Sequence, residues 1–245
     1  KYTPIFYTHV ETYLHLNRGL NFLMLPDIDQ NFICITMPSI YQLKPAFQRL
    51  LRPLVKHLFD FGITANQITL LAMFLSLGLS GFLYVYFLDI APNLLLLLFP
   101  LWMLIRMAFN AIDGMLAREF QQQSALGAYL NELCDVISDS ALYAVLFVFS
   151  VISTPLLALV IFLAILSEYA GVMAPLIGQE RRYDGPMGKS DRALWFSIIM
   201  MILSLSSYFS IQYSTLSTLC NGILSLITIL LCFTLFNRIK NSLNR

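Results

Sequence analysis

Asn110, Asp113 and Arg118 sit in "FNAIDGMLAREF" (109–120), soon after the apolar run "NLLLLLFPLWMLI". A second polar set, Asn131, Glu132, Asp135 and Asp139, lies in "LNELCDVISDS", inside another apolar run. A charge near the centre of a membrane span costs about 2.5–3.5 kcal/mol on insertion scales, so carboxylates there face a cavity or a partner. On a helix, Asn110 and Asp113 are three residues apart and Asn131 and Asp135 four apart, so each pair shares one face. Oxygen donors of this kind suit a hard cation, Mg²⁺ or Mn²⁺, and no His or Cys stands where zinc would need one. Such an ion is useful where phosphates must be bound and their charge offset. Gly114, Ala117 and Gly127 flank the donors. Small residues let helices approach closely, and they also leave room for a flat ligand against the backbone.

The elements that position these residues follow from composition. The chain is 58% hydrophobic and only 12% charged, against roughly 25% charged in soluble domains. Lipid must therefore be its solvent, and a net charge of +1 gives no reason to expect a nucleic-acid partner. The expected fold is all-α and integral to the membrane, with six transmembrane helices near 68–88, 94–115, 126–152, 156–177, 193–211 and 216–236. The connections "DIAPN", "STP" and "QYSTLS" hold no Lys or Arg. Those on the other side hold Arg118, then Arg181, Arg182, Lys189 and Arg192, so both termini are expected in the cytoplasm.

Counting inward at about 1.5 Å per residue puts Asp113 and Asn110 roughly 7 and 12 Å above the cytoplasmic end of the second span. The same count from Leu126 puts Asn131 and Asp135 roughly 7 and 13 Å above that boundary. The depths match in pairs, so four oxygen-bearing side chains should meet from antiparallel helices just inside the cytoplasmic leaflet.

The chain has three expected parts: residues 1–36, residues 37–61 and a membrane domain at 62–245. In 37–61, Phe47, Leu50, Leu51, Leu54, Val55 and Leu58 follow helical spacing while Arg49, Arg52 and Lys56 share another face. This predicts a cytoplasmic juxtamembrane amphipathic helix, kinked or started late at Pro53. It serves as an anchor or as the floor of the site. Residues 1–36 lack a signal-peptide layout and a sustained period, and a coherent membrane protein can begin at Met37. They are expected to be an extension of upstream origin.

The polar spacing resembles the signature of the CDP-alcohol phosphotransferases: Asp-x-x-Asp-Gly-x-x-Ala-Arg, eight residues, then Gly-x-x-x-Asp-x-x-x-Asp. Here Asn110, Asp113, Gly114, Ala117 and Arg118 are followed, after the same interval, by Gly127, Asn131 and Asp135. "TANQIT" is similar to the family's Pro-Asn-x-x-Thr entry to its first span, with Ala65 for Pro and with Asn66 and Thr69 retained. The resemblance implies a transferase that moves a phosphatidyl group from a CDP-linked lipid to a small alcohol or alcohol phosphate, releasing CMP. It also implies one or two divalent ions at Asn110, Asp113, Asn131 and Asp135, with Asp135 as the base. Asn66, Thr69, Gly114, Ala117, Arg118 and Gly127 would line the donor site, and the enzyme would be a homodimer in a bacterial inner membrane.

Asn110 and Asn131 stand where the family has Asp, so the quartet's charge falls from −4 to −2. Asp135 and Asp139 repeat the last four-residue step, which leaves a register one turn deeper, about 6 Å, as an alternative. A one-metal site, a silent lipid-binding relative and an ion-coupled transporter are the other readings. Against the transporter, the cluster lies near one face rather than at the midplane, and no inverted repeat is visible.

In "GQERRYDGPMGKSDRALW", "GKS" is no P-loop, because Tyr183 stands where that motif needs Gly and no strand precedes it. Its Arg181, Arg182, Lys189 and Arg192 either set topology or grip an anion, a phosphate on the acceptor or a lipid headgroup. Arg106 and Glu168 are expected to form an ion pair between spans or to line a polar cavity.

Overall fold

In the computed structural model, residues 43–243 are described, and the expectations for residues 1–36 lie outside them. The described chain is all-helical. An amphipathic helix, α1 (Leu43–Asp60), is followed by α2 (Ala65–Tyr86) and α3 (Leu98–Glu119). Next come α4 (Ala125–Ala144), α5 (Thr154–Met173), α6 (Lys189–Ser206) and α7 (Tyr213–Leu243). Short 3₁₀ turns lead into α3 (Leu94–Leu97) and extend α4 (Val145–Val148) and α5 (Ala174–Ile177).

Four segments are long and apolar enough to cross a membrane: Ala65–Tyr86, Leu94–Glu119, Thr154–Ile177 and Tyr213–Leu243. These match four of the six stretches expected from hydropathy. The other two are α4 and α6, which carry more charge. Glu132, Asp135 and Asp139 lie on α4, and Lys189, Asp191 and Arg192 on α6. Lys189 and Arg192 were expected in a loop. Instead α6 starts at Lys189, because the Asp191 carboxylate accepts the Gly188 N–H at 2.9 Å and caps the first turn.

Local chemistry fixes the ends nearest the polar cluster. Thr64 and Gln67 form a reciprocal capping box at the start of α2, with the Thr64 N–H donating to Gln67 Oε1 at 2.8 Å. The Ser124 hydroxyl accepts the Gly127 N–H at 2.9 Å and starts α4. Helix α2 lies between α3 and α4, α3 also meets α1 and α6, and α5 packs on α7 and α4. Arg106 and Asp113 on α3 and Asp139 on α4 are buried in this packing.

The main apolar core fills the half of the bundle away from α1, around Phe99, Leu142, Leu157, Phe196 and Leu224. Tyr143 stacks on Phe196 with ring centroids 3.7 Å apart. A smaller cluster, Val55 with Ile68, Ile112, Met115 and Leu116, seats α1 on α2 and α3. Pro53 lies inside α1 without ending it. None of the residues lining the polar cavity comes from α1, so the helix braces the site's neighbours rather than forming its floor.

The segment between α5 and α6 is seated on the bundle. The Arg182 N–H donates to Gly171 O at 3.1 Å, and the Met187 N–H to Thr234 Oγ1 at 2.9 Å. Gly185 has φ +125°, and a Cβ there would lie 2.6 Å from Thr234 Cα, so only glycine fits this crossing.

Candidate functional site

Helices α2, α3 and the first turns of α4 enclose a cavity of about 620 Å³. Asn66 and Thr69 reach it from α2, and Asn110, Asp113, Gly114, Ala117 and Arg118 from α3. Gly127 and Asn131 reach it from α4. Nine of the residues singled out from spacing thus share one space. The Thr69 hydroxyl donates to Asp113 Oδ2 at 2.8 Å, which fixes that carboxylate on the cavity wall. Gln122 Oε1 accepts the Ala65 N–H at 2.7 Å, tying the α3–α4 turn to the start of α2.

The wall is tight where the glycines lie. A Cβ on Gly127 would stand 2.7 Å from Asn66 Oδ1 and 3.0 Å from Ser124 Oγ. A Cβ on Gly114 would stand 2.9 Å from Arg118 Nη2. Gly127→Ala should push Asn66 into the cavity and raise the KM for a substrate bound there about tenfold, which equals about 1.4 kcal/mol. Steady-state kinetics read beside a melting curve checks this, since loss of stability alone would leave that KM unchanged.

Asp135 does not line the cavity. It lies one turn beyond Asn131, behind a pair of cations. Its Oδ1 is 3.2 Å from Arg106 Nη2, and its Oδ2 takes the Lys189 ammonium. The side chain keeps 22% exposure. Asp139, one turn further, is 9% exposed and locked between Arg106 Nη1 and Arg192 Nη2, the latter at 3.3 Å. Among the described residues, no three carboxylate, imidazole or thiolate groups converge as a metal site. Any ion here must use carboxamide oxygens or water as well as carboxylates.

The basic residues expected to grip an anion lie outside the cavity, each already partnered. Arg181 pairs with Glu132 and, at 3.4 Å, with Glu168. Arg182 Nη2 donates to the Asn241 carbonyl at 2.6 Å. Arg192 is 2.9 Å from Glu168. Arg106 and Glu168 are not each other's partners, as the sequence suggested. Arg106 belongs to Asp135 and Asp139, and Glu168 gathers Arg181, Arg192 and Arg238.

Arg238 was the member of this network that sequence reasoning missed. It resembles any other basic residue at the end of a span, yet it is buried and donates to the Ser167 and Asp184 carbonyls. Nothing in the local pattern of "FNRIKNS" signals that role.

The sequence profile of the CDP-alcohol phosphatidyltransferase family matches residues 62–235. Inner membrane protein YnbA of Escherichia coli K12 is 43% identical over 205 residues, covering 84% of this chain and 96% of YnbA. An uncharacterized protein of Aquifex aeolicus is 38% identical over 100 residues, covering 40% of this chain and 46% of that protein. Among solved structures, Mycobacterium tuberculosis phosphatidylinositol phosphate synthase PgsA1 with CDP-DAG bound superposes with a TM-score of 0.63. Its sequence is 19% identical, and the match covers 80% of this chain and 94% of that one. The same synthase in complex with manganese and citrate gives 0.60 at 21% identity, covering 78% and 88%. These two structures share the fold.

Proposed function

Because this chain belongs to the CDP-alcohol phosphatidyltransferase family, we propose that its cavity between α2, α3 and α4 takes the nucleotide diphosphate of a CDP-linked lipid, with CDP-diacylglycerol as the donor. The protein is a multi-pass membrane transferase of phospholipid biosynthesis. The observation that carries the site reading is the meeting of Asn110, Asp113, Gly114, Arg118, Gly127 and Asn131 around one cavity, with Asp135 one turn behind.

In this reading α4 and α6 also cross the bilayer, making six spans with both termini in the cytoplasm. The α4 segment Ala125–Val148 is about 36 Å long and α6 about 27 Å, at 1.5 Å per residue. Both present exposed apolar side chains, including Leu126, Leu133 and Ile137 on α4 and Leu194 and Met201 on α6. Crossing by α4 and α6 as well puts every basic connection on one side. Helix α1 then lies along that surface, its exposed Leu50 and Leu54 turned to lipid.

The donor set fits one divalent ion, Mg²⁺ or Mn²⁺. On the cavity wall Asp113 supplies one carboxylate and Asn110 and Asn131 neutral carbonyl oxygens, which suits a hard dication that keeps water ligands, while Asp135 stands one turn behind with its oxygens on Arg106 and Lys189. Lys189, held on Asp135, supplies positive charge of the kind a second ion would bring. The mycobacterial synthase in complex with manganese is in keeping with that choice. When bound, the ion would offset the charge of the pyrophosphate.

The chain's own residues do the rest. Thr69 holds Asp113, the close backbone at Gly114 and Gly127 admits the nucleotide, and exposed Arg118 meets the phosphates. Arg106 and Lys189 orient the two oxygens of Asp135. The acceptor hydroxyl oxygen bonds to the lipid-bearing phosphorus, and the bond from that phosphorus to the CMP oxygen breaks. The electron pair leaves on CMP and the hydroxyl proton passes to Asp135. Such transfer depends on positioning and charge more than on covalent catalysis.

The test is CMP release from CDP-diacylglycerol by the purified protein, with and without chelator, across a panel of small alcohols. Mn²⁺ titration followed by electron paramagnetic resonance should show one bound ion, and the Asn110→Asp, Asn131→Asp double variant a second. No release with any acceptor would leave a silent lipid-binding relative, and ion flux in proteoliposomes without nucleotide would favour a transporter. Two ions in the unaltered protein would overturn the single-ion site while leaving the transferase reading intact.

A further inference from the structure

We propose that Thr234, on α7 and outside the cavity, is a positioning residue for the transfer, because its hydroxyl fixes the start of α6 and so the Lys189 ammonium on Asp135. This role rests on the reading of Asp135 as the base.

Lys189 does not hold its own place. Its side chain is 30% exposed, and its flexible four-carbon stem leaves the ammonium free to swing into water. Where the ammonium falls is therefore set by where the first turn of α6 begins. The cap on that turn, the Asp191 carboxylate on the Gly188 N–H, belongs to α6 itself and ties it to no other helix. Arg192 joins the same turn to Asp139 and Glu168, but through a long side chain that can follow a shift of the backbone.

The backbone tie comes two residues before Lys189. Met187 is fully buried, and its N–H donates to Thr234 Oγ1 at 2.9 Å. Thr234 is fully buried as well, and its hydroxyl donates to the Leu230 carbonyl at 2.8 Å. The proton is thus turned back along α7, and the oxygen's lone pairs are left for Met187. Gly185 crosses flat against the same residue, the Cβ it lacks falling 2.7 Å from Thr234 Oγ1. The other backbone contacts of this segment, Arg182 N–H on Gly171 O and Asp184 O on Arg238, lie further from α6. Without the Thr234 oxygen the Met187 N–H would be buried and unpaired, a state unfavourable enough for the segment to move and relieve it. That movement passes directly to Lys189.

Thr234→Val removes the acceptor and keeps the side chain's outline, whereas Thr234→Ser keeps the acceptor. Both are compared with the parent by CMP release from CDP-diacylglycerol with Mg²⁺ and the acceptor that reacts fastest in the alcohol panel. Thr234→Val should lower kcat about tenfold with the donor KM unchanged, within the loss that a misplacement of under about 1 Å brings. Thr234→Ser should stay close to the parent. In a Lys189→Met background, Thr234→Val should cause no further loss, since it acts through the ammonium already removed.

Equal losses with and without Lys189 would overturn the role, as would a Thr234→Val enzyme as fast as the parent or one altered only in donor KM. A Thr234→Val protein that no longer folds overturns it too, because the hydroxyl would then be structural alone. Full transfer by Asp135→Asn would overturn the reading of the base instead, and no release by the parent would overturn both.

Discussion

Asp135→Asn is expected to cut CMP release by about 10³-fold, within the range for removing a positioned general base, while leaving the melting temperature nearly unchanged. The side chain is 22% exposed and touches only the Arg106 and Lys189 cations, so an isosteric carboxamide keeps the shape and loses the proton acceptor. Asp139→Asn should behave in the opposite way. That carboxylate is 9% exposed and joins Arg106 to Arg192, and its loss leaves two buried guanidinium groups short of a partner. About 3 kcal/mol of stability should go with it, the low end for breaking a buried pair, because Asp135 and Glu168 remain to each cation. The two variants are read by CMP release and by thermal melting in the same detergent. Loss of transfer in a folded Asp139→Asn, with Asp135→Asn still active, would move the base one turn inward.

Glu168→Gln should be the most destabilising single change in the polar network, by about 3–5 kcal/mol. Glu168 receives Arg192 at 2.9 Å, Arg238 at 3.3 Å and Arg181 at 3.4 Å, from three different parts of the chain. Arg192 would keep only Asp139, and Arg238 only the Ser167 and Asp184 carbonyls. The carbonyl of Asp184 belongs to the α5–α6 segment, so its seating on α7 should loosen as well. A fall in melting temperature of at least several degrees, partly recovered by Glu168→Asp, is the expected reading. A melting curve superposable on the parent's would mean that these contacts contribute nothing to the bundle.

Several features of the protein follow from its sequence alone. Low charge and long apolar runs require helices in lipid, because no soluble fold could bury so much apolar surface. The spacing of Asn110 with Asp113, and of Asn131 with Asp135, fixes which side chains share a helix face. The positions of Gly114, Ala117, Arg118 and Gly127 carried the family resemblance. Each of these properties is local, set by helical periodicity and composition, so it can be read along the chain.

Tertiary structure decided the pairings. Arg106 took Asp135 and Asp139 rather than Glu168, and Glu168 drew in Arg238 from the last helix. Asp135 came to stand behind the cavity that Asn110, Asp113 and Asn131 line. Lys189 and Arg192 moved from an expected loop onto the first turn of α6, where both meet α4 carboxylates. The strength of an ion pair falls with separation and rises with burial. Both depend on how helices distant in sequence cross, which the order of residues does not state.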